Sequence, residues 1–350
     1  MARLGTYATL ATLGIFLGLV SGRRSSEPML EFDAAERGRH AASPAQMTWL
    51  GWKDIALRTI RETVDDRLFS VAAGVAFYGL LALVPGITVL VSLYGLVADP
   101  GRFETDLGLL FAFMPEGAAA LVMDQARRLA TQPAASLSLG MLANLAITVW
   151  SANSGAKAMF EALNVIYEEE EKRSFLKLNA VSLAVTVLAA FLLVFTLMIV
   201  AVAPVLIAWA PLAGGTETAL NLLRWPFVFV VASAIIAVLF WAGPSRRRMR
   251  FAWVLPGAIL SAVLWAASSA LFAFYVGRLG NYQAAYGSLA TVVVFMTWLW
   301  LSVSVILLGA EFNSELEHQT ARDTTEGMAK PRGLRGAAMA DSVGPRVAQK

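Results

Sequence analysis

The chain has 350 residues, 57% of them hydrophobic and 15% charged, with a formal net charge of +3 and a mean hydropathy of +0.62. Soluble domains carry nearer ~25% charged residues, so the composition excludes an ordinary soluble protein and points to an integral membrane protein. The absence of cysteine excludes disulfides, thiolate metal sites and cysteine nucleophiles, and the basic excess fits cytoplasmic loops rather than a nucleic-acid footprint.

Residues 1–24 hold a short apolar run, Leu4–Val20, with Gly14, Gly18 and Gly22 in doubled G-x-x-x-G spacing, closed by Arg23 and Arg24. Signal peptide, extra span and surface anchor all compete here; an extra span with helix-packing glycines is preferred. Residues 25–46 are polar and mixed in charge and read as a linker. Met47–Leu68 is amphipathic: Trp49, Trp52, Ala56, Ile60 and Val64 repeat every three to four residues, opposite a face with Asp54/Arg58, Arg58/Glu62 and Arg61/Asp65 at i,i+4. Its tryptophans suit a helix lying at headgroup level.

Six apolar runs follow: Ser70–Val97, Leu137–Ala156, Leu178–Ala210, Leu222–Trp241, Phe251–Val276 and Tyr286–Leu308. Each is long enough to span a bilayer at 1.5 Å per residue. The third is long enough to tilt or to break at Pro204. Between the first two, Phe103–Met114 and Ala118–Leu129 flank Pro115-Glu116-Gly117 and predict a small helical cap within 98–136. Residues 319–350 are polar, rich in Gly and charge, and are expected to be a disordered cytoplasmic tail.

Lysine and arginine set the orientation. Eight lie between residues 23 and 67, three in 98–136, four in 157–177, one in 211–224, four in 242–250, one in 277–285 and six in the tail. Rich and poor segments alternate, as six spans with both ends of 47–318 in the cytoplasm require. The expected fold is therefore all-α: a bundle of six transmembrane helices with an interfacial amphipathic helix and a small outer cap.

The stretch Trp150–Phe175 departs from plain membrane-spanning sequence. Asn153, Lys157, Glu161, Asn164 and Glu168 share one helix face, and a single helix over 137–171 would reach about 50 Å and leave the membrane. The stripe lines a cavity mouth on one reading and is an ordinary solvated face on the other. Ser154-Gly155 marks a candidate kink. Tyr78, Tyr286 and Glu311 are candidate partners for Asn153, and Glu311 for Lys157 as well. Arg224 beside Trp225 reads as a snorkelling arginine or as an anion contact at the outer face. Gly280-Asn281-Tyr282 and Tyr286-Gly287-Ser288 form a mobile entrance or a tight turn. Ala258, Ala262, Ala266 and Ala270 form a small-residue packing ladder. The run Ser245–Arg250 is a topology signal that meets anionic headgroups. No catalytic set, phosphate loop or metal-binding histidine cluster is legible; His40 and His318 stand apart, so no enzyme activity, cofactor or metal is expected.

Four stretches together resemble the YihY/BrkB family of bacterial inner-membrane proteins: Ala72–Gly86, Trp150–Phe175, Val254–Gly257 (VLPG), and Tyr282–Asn313 with GAEFN at its end. The resemblance covers residues 47–318. It implies a multi-pass helical protein of the inner membrane, of a family described as transporters or virulence factors. The older label ribonuclease BN finds no ligand cluster here to support it. Two function classes are expected: a transporter or flippase-like protein for an amphiphile or envelope lipid precursor, and a non-transporting scaffold of the envelope. Membrane lipids are the expected partners, with no nucleic acid.

Overall fold

The computed structural model describes residues 34–95, 139–209, 216–278 and 286–346, with isolated positions between 114 and 127. The N-terminal apolar run, most of the expected cap and Tyr282 lie outside these residues. What is described is helical, apart from one isolated antiparallel bridge between Met249 and Thr325.

Helix α1 (Trp49–Asp65) starts at Thr48, whose hydroxyl accepts from Gly51 N at 3.2 Å, a serviceable N-cap. It ends where Arg67 takes a positive φ of 51°, and α2 (Leu68–Gly95) leaves at 64° to it. Its amphipathic pattern is real, but the faces are reversed relative to a soluble helix. Trp49, Ile60 and Val64 point outward, while Gly51, Asp54, Ile55, Arg58 and Thr59 are buried against the protein. An apolar face turned outward is what a helix bedded in headgroups requires. The expected i,i+4 pairs give way to tertiary ones: Asp54 accepts from Arg37 at 2.6 Å, and Arg58 donates to Glu315.

Five further long helices follow: α3 (Leu139–Ile166), α4 (Phe175–Trp209), α5 (Thr216–Ala242), α6 (Phe251–Arg278) and α7 (Ala290–Gln319). At 1.5 Å per residue each is about 40 Å or longer. Each packs on its sequence neighbour, and α7 returns to lie along α2, so α2 to α7 close a ring. By length and composition, Phe175–Thr196, α6 and α7 can cross a membrane, and the bent α1–α2 pair passes together; Pro226–Ala242 is a shorter apolar stretch. Helix α4 continues through Pro204 without a break.

Two close approaches set the ring. A Cβ on Gly155 would lie 3.4 Å from Ala82 Cβ and 3.7 Å from Gly79 Cα, so α2 and α3 meet there almost backbone to backbone. Ser154 Oγ bonds back to Ser151 O at 2.7 Å, yet α3 is continuous: the expected kink is instead a packing point. On the other side Gly257 of α6 meets Gly309 of α7, where a Cβ on either would overlap the opposite backbone. Of the predicted alanine ladder, Ala258 and Ala262 are fully buried and Ala270 is exposed, so the tight contact lies one turn earlier than the ladder's centre. Trp265 and Trp298 stack edge-on between α6 and α7, their indole N–H groups donating to Ser302 and Ser269 at 3.1 Å.

Three sequence expectations are corrected. Helix α3 stops at Ile166, not Glu171, because Glu168 adopts φ 51° and Glu169 N turns back to Asn164 O at 2.8 Å. The linker is docked from residue 34 on: Gln319 donates to Arg37 O at 2.9 Å and Thr320 to Ala41 O at 2.8 Å. The tail 320–346 is folded rather than disordered. Arg335, 5% exposed, donates to Ala321 O, Arg322 O, Lys330 O and Ala340 O, while Asp341 in the short helix α8 (Ala338–Asp341) accepts from Gly333 N and Arg335 N. Buried backbone acceptors gathered by one guanidinium supply the order that low apolar content seemed to deny.

Candidate functional site

The Lys/Arg-rich segments converge at one end of the ring. Ser245 N donates to Asn164 Oδ1 at 2.7 Å and Lys172 N to Ser245 Oγ at 2.9 Å, joining the end of α3 to the α5–α6 connector. Arg173 donates to Ala242 O and Gly243 O at 3.2 and 2.7 Å, meeting the orphan carbonyls at the end of α5. Glu171 accepts from Arg173 and Asn164. Burial pushes its carboxyl up, but those hydrogen bonds outweigh burial and hold it down to about 2.

The basic run Ser245–Arg250 faces protein rather than lipid. Arg246 forks onto Glu317 at 2.5 and 2.6 Å, both side chains buried. Arg247 N donates to Gly336 O, Arg250 N to Thr324 O, and Arg248 stacks 3.9 Å over the Trp241 ring. The predicted headgroup contact is thus replaced, for most of the run, by the folded tail.

At this end the VLPG and GAEFN stretches lock together. Pro256 lies inside α6 and has no N–H, so the carbonyl of Ala252, four residues before it, lacks its usual helical donor. The Asn313 amide binds the backbone on either side of Pro256, accepting from Gly257 N and donating to Val254 O, both at 2.7 Å.

A second polar place lies between α3 and α4. Asn153, 1% exposed, accepts from Thr186 Oγ1 at 3.4 Å, and Lys157 Nζ donates to Asn179 Oδ1 at 3.1 Å. The ammonium also sits 4.8 Å from the Trp150 ring centroid. Trp150 and Phe175 face outward with their rings 6.1 Å apart. This seam therefore reaches the outer surface of the bundle.

The predicted site residues do not form one constellation. Asn153 and Lys157 belong to the seam, and Asn164 to the charged end. Glu161 is exposed and Glu168 has left the helix. Tyr78 is exposed on α2 with its ring edge-on to Phe77, and Tyr286 is exposed before a short 3-10 turn at Gly287–Leu289. Neither is the partner of Asn153, and Glu311 is bonded to neither Asn153 nor Lys157. Arg224 falls inside α5, eight residues past its start at Thr216, not at its beginning; its side chain is outside the described residues. Sequence reasoning missed Asn179 and Thr186, which lie on a different element with no spacing to connect them, and the pairs Arg58–Glu315 and Arg246–Glu317.

Apolar helices in a closed ring, with the longest polar networks among the described residues drawn to one end, define a helical membrane protein. The chain belongs to the family described as virulence factor BrkB, whose model matches residues 59–333. It is 30% identical to the ribonuclease-like protein YfkH of Bacillus subtilis over 71% of this chain and 89% of YfkH. It is 29% identical to a UPF0761 membrane protein of Alkalilimnicola ehrlichii over 85% of this chain and 66% of the relative. A UPF0761 membrane protein of Methylibium petroleiphilum is 27% identical over 75% of this chain and 62% of its own length. The chain thus spans a little under two thirds of these UPF0761 relatives. No solved structure matches it.

Proposed function

We propose that the protein is a multi-pass inner-membrane transporter of flippase type, acting on an amphiphile or envelope lipid precursor with an anionic headgroup. Lys157 carries the reading. Its partners are a neutral amide and an aromatic ring, neither of which cancels its charge. An ammonium near the inner third of a bilayer costs up to ~3 kcal/mol on insertion scales unless it reaches water or a partner. Placed at a seam flanked by outward-facing Trp150 and Phe175, it suits a headgroup anion whose chains lie along the bundle's surface.

Six crossings, with both ends of 47–318 in the cytoplasm, belong to the same proposal. They are supported by the ring of α2 to α7 and by the meeting of the Lys/Arg-rich segments at one end. The ribonuclease-like name of the Bacillus relative is not carried over. Metal-dependent RNA hydrolysis needs clustered ligands, whereas His318 stands 3.7 Å from Glu315 and His40 lies before α1.

The test is translocation of a labelled anionic phospholipid in vesicles containing the purified protein, beside complementation of a deletion strain. Lys157→Met and Asn153→Leu are expected to insert at normal abundance yet lose both activities. Full complementation by the double variant would leave the scaffold role in its place.

A further inference from the structure

Glu311 is a buried acid for which the transport reading has no use. It lies on α7 beyond the apolar stretch that ends at Leu308, is 0% exposed, and neither carboxylate oxygen has a hydrogen-bond partner. The charges that bear on it most are all negative: Asp66 at the α1–α2 break, Glu315 on its own helix, Glu62 on α1 and Glu168 at the end of α3.

The cations nearby are committed elsewhere. Arg58 of α1 is bound to Glu315, and Arg246 of the α5–α6 connector to Glu317. Arg250, at the start of α6, donates to Thr325 O, and Arg67, in the turn into α2, is exposed. A second orphan stands close by. The Tyr167 hydroxyl, in a side chain 1% exposed, points toward Asn313 without meeting hydrogen-bond geometry, and it lies within electrostatic reach of Glu311. Asn313, whose amide is bonded to Gly257 N and Val254 O of α6, makes no hydrogen bond to either group.

An ionised carboxylate so enclosed loses its hydration and gains nothing in return. Among the described residues no group of three or more His, Cys, Asp or Glu is arranged to hold a metal ion. A proton is the cation that needs no ligand set. The neutral carboxyl carries no charge to be desolvated and both donates and accepts, as does a phenol.

We propose that Glu311 is a proton-binding site, loaded from the charged end of the bundle through the carboxylates of Glu62, Asp65, Asp66 and Glu168. These groups are exposed or half-exposed and raise the local concentration of cations at the mouth of the site. The site does not rest on the transport reading: it exists in the resting protein whether or not lipid moves.

Infrared difference spectroscopy of the purified full-length protein across a pH series reads the C=O stretch of a protonated carboxyl. The band is expected in the wild type at neutral pH, where exposed carboxyls are ionised, and to be missing from Glu311→Gln. The Glu62→Gln/Asp66→Asn double variant keeps Glu311 and removes two negative neighbours. It is expected to lower the pH at which the band disappears by about one unit, which decides the matter even if Glu311→Gln does not fold. Absence of the band in the wild type, its survival in Glu311→Gln, or an unmoved midpoint in the double variant would each overturn the proposal. Loss of the band on adding sodium or potassium at fixed pH would overturn it too, because the occupant would then be an alkali cation.

Discussion

Asn313 bonds α6 beside Pro256, and its replacement takes a buried hydrogen bond from each of two backbone groups, Gly257 N and Val254 O. Each such loss costs about 1–3 kcal/mol, so Asn313→Leu should destabilise the protein by roughly 2–4 kcal/mol. Gly257→Ala should do comparable damage by forcing α6 from α7, since its Cβ would overlap Gly309 O and the Asn313 amide. Thermal unfolding in detergent checks both. Glu171 offers a pH signature at the same scale. Its carboxyl is held down to about 2 in the folded protein, against 4.5 ordinarily. A depressed acid stabilises the folded state above its unfolded value and loses that contribution as pH falls through the folded one. Glu171→Gln should therefore lower the melting temperature at pH 6, with the difference from wild type shrinking as pH falls from 4.5 toward 2. A difference independent of pH would mean that the ion pair with Arg173 is not its source.

At the scale of elements, α1 and the tail carry the main departures from pattern-based expectation. The apolar stripe of α1 was visible, but its partner could not be inferred from periodicity. The buried face is the polar one, because Arg37 and Glu315, far away in sequence, reach Asp54 and Arg58. The tail reads as disordered by composition, since few of its side chains are apolar. Its order comes instead from Arg335 collecting four carbonyls and from backbone bonds to the 245–250 run. Amide hydrogen exchange should accordingly be slowed across 320–340, and Arg335→Ala should release that protection while sparing α6 and the apolar part of α7. Fast exchange of the tail in the wild type would contradict the docked arrangement.

For the whole molecule, the testable consequence is topology. Reporter fusions after Gly243 are expected to report the cytoplasm, and fusions within 118–135 the opposite side. The reverse pattern, or an odd number of crossings, would remove the six-span proposal. Composition and the alternation of basic segments were enough to fix the class of the protein and to place its long helices, because both follow from local hydropathy and charge. The extent of α1 and α6 follows closely from the amphipathic and apolar periods read along the chain, whereas α7 continues past the apolar run ending at Leu308 to Gln319. The candidate site was legible only in part. Asn153 and Lys157 stood out as polar residues beside an apolar run, and the structure does bring them to one seam. Their partners Thr186 and Asn179, the lock between Asn313 and α6, and the isolation of Glu311 were decided by tertiary structure alone. The reason is physical: hydropathy along one helix sets that it enters the bilayer, whereas whether a buried polar group finds a partner depends on which helices close the ring around it.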